Sequence, residues 1–267
     1  MNVSILMGVY HPLSEISALR RSVDSILSQT FREFELLICD DGSSCEVRTY
    51  LEQTARQDPR VCLVRPGNAI FLPVKLNSCL SYARGQYIAR MDDDDYSYPT
   101  RLERQLEYLQ FHPEITFVGC NVGLIQSGKR VGARCFPEYP TVRNFYMTQP
   151  YIHPTLMLHR ECLEAVGNYS EEKSVLLCED YDLLLRLYAK GYQGANLQEI
   201  LFDYTVPPTA KGNRRMRHRW NESVTRWRRF GEMGLLPGAL PYVVKPLVVG
   251  MLPEKLLEKF HYRRIAR

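Results

Sequence analysis

Apolar positions in this chain alternate between short continuous runs and stretches with three- and four-residue spacing. Val3 to Tyr10 (VSILMGVY), Phe34 to Cys39 (FELLIC), Val61 to Val64 and Tyr87 to Met91 form the continuous runs, the pattern of strands covered on both faces. Between them, Ile16, Leu19, Val23, Ile26 and Leu27 predict a helix from about Ser14, Val47 to Arg56 a second, and Leu72 to Ala83 a third that ends near Gly85. Strand and helix in alternation imply parallel strands joined by right-handed crossovers, so all four strands end on one edge of one sheet.

The alternation then stops. Leu102, Leu106 and Leu109 mark a helix that His112-Pro113 ends, Ile115 to Ile125 reads as strand, and Ser127-Gly128 as a hairpin turn before Arg130 to Phe136. His153-Pro154-Thr155 leads into the apolar Leu156 to Leu158. Cys178 to Asp182 opens a helix whose Leu183, Leu184, Leu187 and Tyr188 face inward and which Gly191 ends. The fold class is α/β, with a parallel nucleotide-binding half over residues 1–112 joined to a more variable half over 113–206 in one mixed-sheet domain. A helical tail, 207–267, follows.

The strand ends carry the candidate chemistry. The fourth run passes straight into Asp92, Asp93, Asp94 and Asp95, and the second into Asp40 and Asp41, followed by Gly42-Ser43-Ser44. Adjacent carboxylates repel, and a fold tolerates them at a strand end when a cation or water offsets the cost. Hard oxygen ligands select Mg²⁺ or Mn²⁺, ions that keep positions open for phosphate oxygens. A second reading has Asp95 or Ser97 capping the helix that Pro99 opens, with the other aspartates solvated. Convergence of two acidic strand ends on one edge favours a site, because ligands of open α/β sheets bind beyond the carboxyl ends of the strands. Neither a P-loop nor a G-x-G-x-x-G follows the first strand. Glu179 and Asp180 can be either the acidic first turn of their helix or the place of a general base, and a lone His153 before a strand reads first as structural.

Charge changes the picture of the tail. Residues 1–210 hold 20 Lys and Arg against 26 Asp and Glu, a balance of −6, whereas 211–267 hold 14 against 4, a balance of +10; together these give the net +4. A basic arm on an acidic body seeks anionic surfaces, here a membrane rather than nucleic acid. Leu235 to Leu252 is apolar, but Pro237, Pro241, Lys245 and Pro246 interrupt it, which fits an interfacial or docked segment better than a spanning helix. The 8 cysteines occur singly with no C-x-x-C pair, as buried small residues in a reducing cytosol would. With no basic n-region, and with its first apolar run stopped at His11-Pro12, the N-terminus does not read as a signal peptide.

Several segments in consistent order then carry a resemblance. VSILMGVY, SILSQTF at Ser25 to Phe31, FELLICDDGSS, GQYIARMDDDD with YPTRLERQ, HPT, and EDYDLLLRLYAKGY resemble the family 2 glycosyltransferases, and among them the small bacterial members of exopolysaccharide and capsule pathways. The likeness spans roughly residues 2–206. It implies the GT-A fold, with Val9, Tyr10, Asp40, Asp41, Arg65, Asp92 and Asp93 around a nucleotide-sugar donor, a UDP-sugar being favoured. It implies further a D-x-D metal motif at Asp92 and Asp94 for Mn²⁺ or Mg²⁺, and Asp180 as the catalytic base. His153 and Glu179 are the candidates on the acceptor side. The activity implied is transfer of one sugar, with inversion, to a saccharide acceptor carried on lipid, by a cytoplasmic enzyme peripheral to the inner face of the plasma membrane.

Two departures qualify the likeness. Asn68-Ala69-Ile70-Phe71 stands where the family has N-x-G, and Met216 stands where processive members carry the glutamine of Q-x-x-R-W before Arg219-Trp220. The second implies single addition rather than polymerisation. A sugar-1-phosphate nucleotidyltransferase would need a glycine-rich loop after the first strand, which MGVYHPLS lacks. A catalytically silent scaffold that binds a protein partner is the other alternative.

Overall fold

The computed structural model describes residues 2–13, 16–65, 71–206 and 216–251. The first four apolar runs form β1 (Val3–Val9), β2 (Phe34–Asp40), β3 (Val61–Val64) and β4 (Tyr87–Arg90), all parallel and ordered β3-β2-β1-β4. Helices α1 (Ser17–Leu27), α2 (Cys45–Gln57) and α3 (Leu72–Tyr82) connect them, and α4 (Arg101–Phe111) follows. The expected start of the first helix near Ser14, and the Asn68 to Ile70 departure, lie outside the described residues.

Strand alternation sorts the core into two layers. Val3, Ile5, Met7 and Val9 pack with Leu19 and Val23 of α1, Val47 of α2 and Leu102 of α4 on one face of the sheet. Leu6 and Leu37 point the other way, onto Leu76 of α3 and the helices of the second half. Such strands have no polar face, which is why their sequences lack alternation.

Register fixes where the chemistry lies. Val9 pairs with Asp40 across β1 and β2, and Leu6 pairs with Arg90 across β1 and β4. The chain leaving β4 therefore brings its aspartates out beside the end of β1.

Beyond β4 the sheet turns mixed. β8 (Met157–His159) lies antiparallel between β4 and β6 (Ile115–Gln126), and the hairpin partner β7 (Lys129–Arg134) borders β6. Sequence patterning missed two strands. β9 (Gln193–Thr205) runs parallel to β6 with register breaks around Asn121, and polar Gln198 and Glu199 interrupt its apolar rhythm. The two-residue β5 (Tyr96–Ser97) pairs antiparallel with β9. That pairing corrects the capping alternative, since Ser97 is in a strand, Asp95 is buried, and α4 is preceded by Thr100 with no side-chain cap.

After α5 (Arg160–Ala165) and α6 (Glu179–Ala189), the tail supplies α7 (Met216–Glu232) and α8 (Leu240–Met251), the latter accommodating Pro246. None of the helices among the described residues is long and apolar enough to cross a membrane. The tail arginines are not all a free basic surface: Arg228 pairs with Glu172 and Glu232, and two others turn inward. Arg226, 2% exposed, donates to Glu222 and to the carbonyls of Phe145 and Tyr146. Arg229 donates to Asp182 Oδ1 at 2.8 Å and to Glu232. Asp182 is wholly buried and also accepts from Arg186 at 2.8 Å. Lys211, Arg214 and Arg215 lie outside the described residues.

Helix α7 is thus tied to α6 by charge pairs shielded from water, and Phe230 fills the apolar layer beneath. Removing one partner of such a pair leaves the other charge buried and undercompensated. Arg229→Met is expected to lower unfolding stability by about 2 kcal/mol, Arg186 retaining part of the compensation. A chain ending before α7 is expected to aggregate rather than remain soluble. Denaturant titration checks the first, and an unchanged midpoint would show the contact to be solvated.

Candidate active site

The end of β1 and the loop after β2 form one side of the site. Ser43 Oγ accepts from the His11 amide at 3.0 Å, the Ser44 amide donates to the His11 carbonyl at 2.9 Å, and Asp40 Oδ1 accepts from the Ser43 amide at 3.3 Å. Gly42 makes the turn possible with φ near +81°, a region that side chains disfavour. Tyr10 stands exposed beyond the strand. Lys75 Nζ of α3 donates to the Val9 carbonyl at 2.8 Å and lies 5.2 Å from the Tyr10 ring.

The four aspartates are held by their backbone more than by their carboxylates. Ser22 Oγ donates to the Asp92 carbonyl at 2.7 Å, and Arg21 Nη2 and Thr205 Oγ1 donate to that of Asp94 at 2.9 and 2.6 Å. Buried Arg90 donates to the carbonyls of Leu6 and Met91 and to Asp92 Oδ1. His11 Nε2 lies 3.1 Å from Asp93 Oδ2, and the hydrogen bond to Asp93, with the further pull of Asp94 and Asp40, holds the imidazole above its usual range. Asp95 points inward, accepting from the Thr205 amide at 2.6 Å, and burial followed by the charges of Asp92 and Asp94 pushes its carboxyl up. Asp94 is raised to about 6, by burial first and then by Asp92 and Asp93.

Helix α6 brings the opposite side. Asp180 Oδ2 accepts from Gln149 Nε2 at 3.0 Å and Oδ1 from the Tyr181 amide at 2.7 Å. Glu179 is 8% exposed, and its Oε2 has no hydrogen-bond partner among the described residues. Burial first, then the charge of Asp180, lifts its carboxyl to about 7. His153 is buried, contacts the Tyr169 hydroxyl at 3.0 Å through Nε2, and is kept neutral by burial and by Arg90. Its buried ring is engaged by Tyr169 rather than presented to solvent. Arg65 pairs with Glu52 on the surface of α2, and no contact joins it to the aspartates among the described residues.

The charges of both acidic groups reach Tyr204. Burial raises its hydroxyl first, and the charges of Asp92, Asp95, Asp94 and Asp180 raise it further. A cleft of about 370 Å³ adjoins the Asp180 side, between 133–137 and a wall of Asn144, Thr148, Gln149 and Pro150. His11, Lys75, Gln149 and Tyr204 were not legible as site residues. Lys75, Gln149 and Tyr204 are single side chains from distant segments with no motif around them, and His11 lies just past the end of one.

The glycosyl transferase family 2 profile matches residues 4–167. The chain belongs to this family. It is 30% identical over 264 residues to the putative glycosyltransferase EpsE of Bacillus subtilis, covering 98% of this chain and 94% of that one. It is 30% identical to the O-antigen biosynthesis glycosyltransferase WbnJ of Escherichia coli, covering 76% of this chain and 79% of that one. Its fold resembles the mannosyltransferase PcManGT of Pyrobaculum calidifontis in complex with GDP-Man and Mn²⁺, with a TM-score of 0.64 at 18% identity, covering 100% of this chain and 81% of that one. The protein is a family 2 glycosyltransferase with the GT-A fold, and the nucleotidyltransferase and silent-scaffold alternatives are set aside.

The donor set fits a divalent metal. Asp92, Asp93 and Asp94 offer hard oxygen at one strand end, and the upward displacement of Asp94 records negative charge that a cation would relieve. No group of three or more His, Cys, Asp or Glu closes a cage among the described residues. The protein would therefore supply few ligands and leave positions for phosphate oxygens.

Glu179 makes stability depend on pH. Its folded carboxyl titrates at about 7 rather than at its usual 4.5, so the native state binds the proton more tightly and its stability falls as pH rises through that window. Glu179→Gln removes this slope. The variant's stability advantage over wild type should grow by about 2 kcal/mol between roughly pH 5 and pH 8, read by denaturant unfolding. Parallel pH profiles would show Glu179 to be solvated.

Proposed function

We propose that this glycosyltransferase moves a single sugar from a nucleoside diphosphate to a saccharide acceptor carried on lipid, with inversion, in bacterial surface polysaccharide assembly. The observation that carries this reading is the row of carboxylates Asp92 to Asp94 leaving β4 beside the end of β1, together with an Asp180 held in orientation by Gln149 and the Tyr181 amide. Residues 1–206 form the catalytic domain in this reading, and a UDP-sugar is the donor favoured by the motifs.

Val9, Tyr10, Asp40 and Asp41 bind the nucleoside, and Asp92 and Asp94 hold Mn²⁺ or Mg²⁺ against the diphosphate. When bound, the metal stabilises the charge of the leaving diphosphate as a Lewis acid. Asp180 takes the proton of the attacking hydroxyl. The Gln149 amide and the Tyr181 N–H both donate to its carboxylate and fix its orientation. Gln149 also lines the cleft, which is the candidate place for the acceptor. Direct attack opposite the leaving group, with no covalent intermediate, inverts the anomeric centre.

Asp92→Asn and Asp94→Asn are each expected to abolish transfer with the fold intact. Asp180→Asn should keep donor affinity while slowing transfer by about a hundredfold or more. Near wild-type turnover of either metal-site variant in Mn²⁺ would refute the metal assignment, and equal losses of affinity and rate at Asp180 would make it a helix cap.

Membrane contact is the second part of the proposal, for an enzyme on the cytoplasmic face. Leu240, Val244, Val248 and Met251 form an exposed apolar stripe on α8, and Trp220 and Trp227 stand exposed on α7 near exposed Arg217. With Arg226 and Arg229 turned inward, burial at the interface contributes more than the basic count alone implied. Full-length protein should sediment with anionic vesicles, less so in ~0.5 M salt, and Val244→Asp with Val248→Asp should release it. Binding indifferent to both changes would remove the membrane from the reading.

A further inference from the structure

Lys75 is placed where helix physics disfavours a lysine. It lies in the first turn of α3, at the positive end of the helix dipole, and is 5% exposed. Among the described residues no carboxylate pairs with it, and its one hydrogen bond runs to the Val9 carbonyl at 2.8 Å. Burying an amine here costs solvation that a carbonyl and the Tyr10 ring offset only in part, and an apolar side chain of similar length would avoid that cost. A position that contradicts local physics in this way marks a functional site.

What surrounds the ammonium identifies that function. Its one partner is the last residue of β1, its neighbour at 5.2 Å is the ring of exposed Tyr10, and Val9 is in register with Asp40. An ammonium has three donors and no acceptor, whereas an ionised carboxylate only accepts. We propose that Lys75 is a specificity-determining residue that reads a ring carbonyl of the donor nucleobase, while Asp40 accepts the adjacent ring N–H. This inference rests on the donor reading given above. The pair matches the imide edge of uracil and the lactam edge of guanine. Cytosine and adenine present an amino group and a bare ring nitrogen at the corresponding edge, so both contacts would fail, donor against donor and acceptor against acceptor. Buried polar groups left unpaired by the wrong ligand discriminate more strongly than shape does.

Calorimetric titration of the full chain with UDP, GDP, CDP and ADP in Mn²⁺ tests the assignment. Wild type is expected to bind UDP or GDP at least about tenfold more tightly than CDP and ADP, a modest demand for paired polar contacts. Lys75→Met should shrink that preference by at least about threefold, the remainder resting on Asp40, with Lys75→Arg retaining the wild-type ratio. Thermal unfolding of Lys75→Met without nucleotide should occur at or above the wild-type temperature, which verifies that the variant folds. A Lys75→Met protein that keeps the wild-type ratio, or a wild type that prefers CDP or ADP, overturns the assignment alone. Wild type that binds none of the four overturns the donor reading, and this inference with it.

Discussion

The concentration of negative charge at the carboxyl edge of the sheet is the constraint on which the other features depend. Four consecutive carboxylates leave β4 together, and nearby cations are few. The fold holds the segment by its backbone instead, through Ser22, Arg21 and Thr205 to the carbonyls of Asp92 and Asp94. Only Asp95 is turned inward as a structural acceptor. The carboxylates of Asp92 to Asp94 thereby stay at the edge, at an electrostatic cost recorded in the raised Asp94. A fold selected for stability alone would not keep that arrangement, whereas a cation and a diphosphate arriving together would offset it.

The two halves of the sheet meet this constraint differently. The parallel strands β1, β2 and β4 bring their ends level by register, so that half of the site follows from backbone pairing. The other half depends on side chains from the irregular region. β9 contributes Tyr204 and Thr205, and the segment before β8 contributes Gln149, which orients Asp180. The mixed topology serves this purpose, because antiparallel β8 and parallel β9 return the chain to the same edge from the far side of the sheet.

This division also explains what could be read from the chain before its structure was known. β1 to β4 and their helices were legible because burial on both faces writes continuous apolar runs, and the Asp92 to Asp95 cluster was legible because its members are adjacent. β9 was not, since register breaks and a polar interruption erase its rhythm. The partners that complete the site were hidden for a different reason. Lys75 and Val9, or Gln149 and Asp180, are far apart in sequence and meet only through the fold. The arginines of α7 misled because a count of charges does not tell which of them face inward.

Those arginines connect the tail to the chemistry. Asp182 lies on the turn of α6 that also carries Glu179 and Asp180, and Arg229 and Arg186 compensate its buried charge from two sides. Arg226 meanwhile donates to the carbonyls of Phe145 and Tyr146, at the start of the segment that leads to Gln149. Helix α7 therefore braces both elements that position Asp180, its own helix and the segment bearing its hydrogen-bond donor. Because α8 packs on α7 and its Lys245 donates to the Met147 carbonyl, the exposed stripe of α8 sits on the same rigid assembly. A surface that meets a membrane through α8 would thus be linked, by buried charge and packing rather than by a flexible arm, to the Asp180 side of the site.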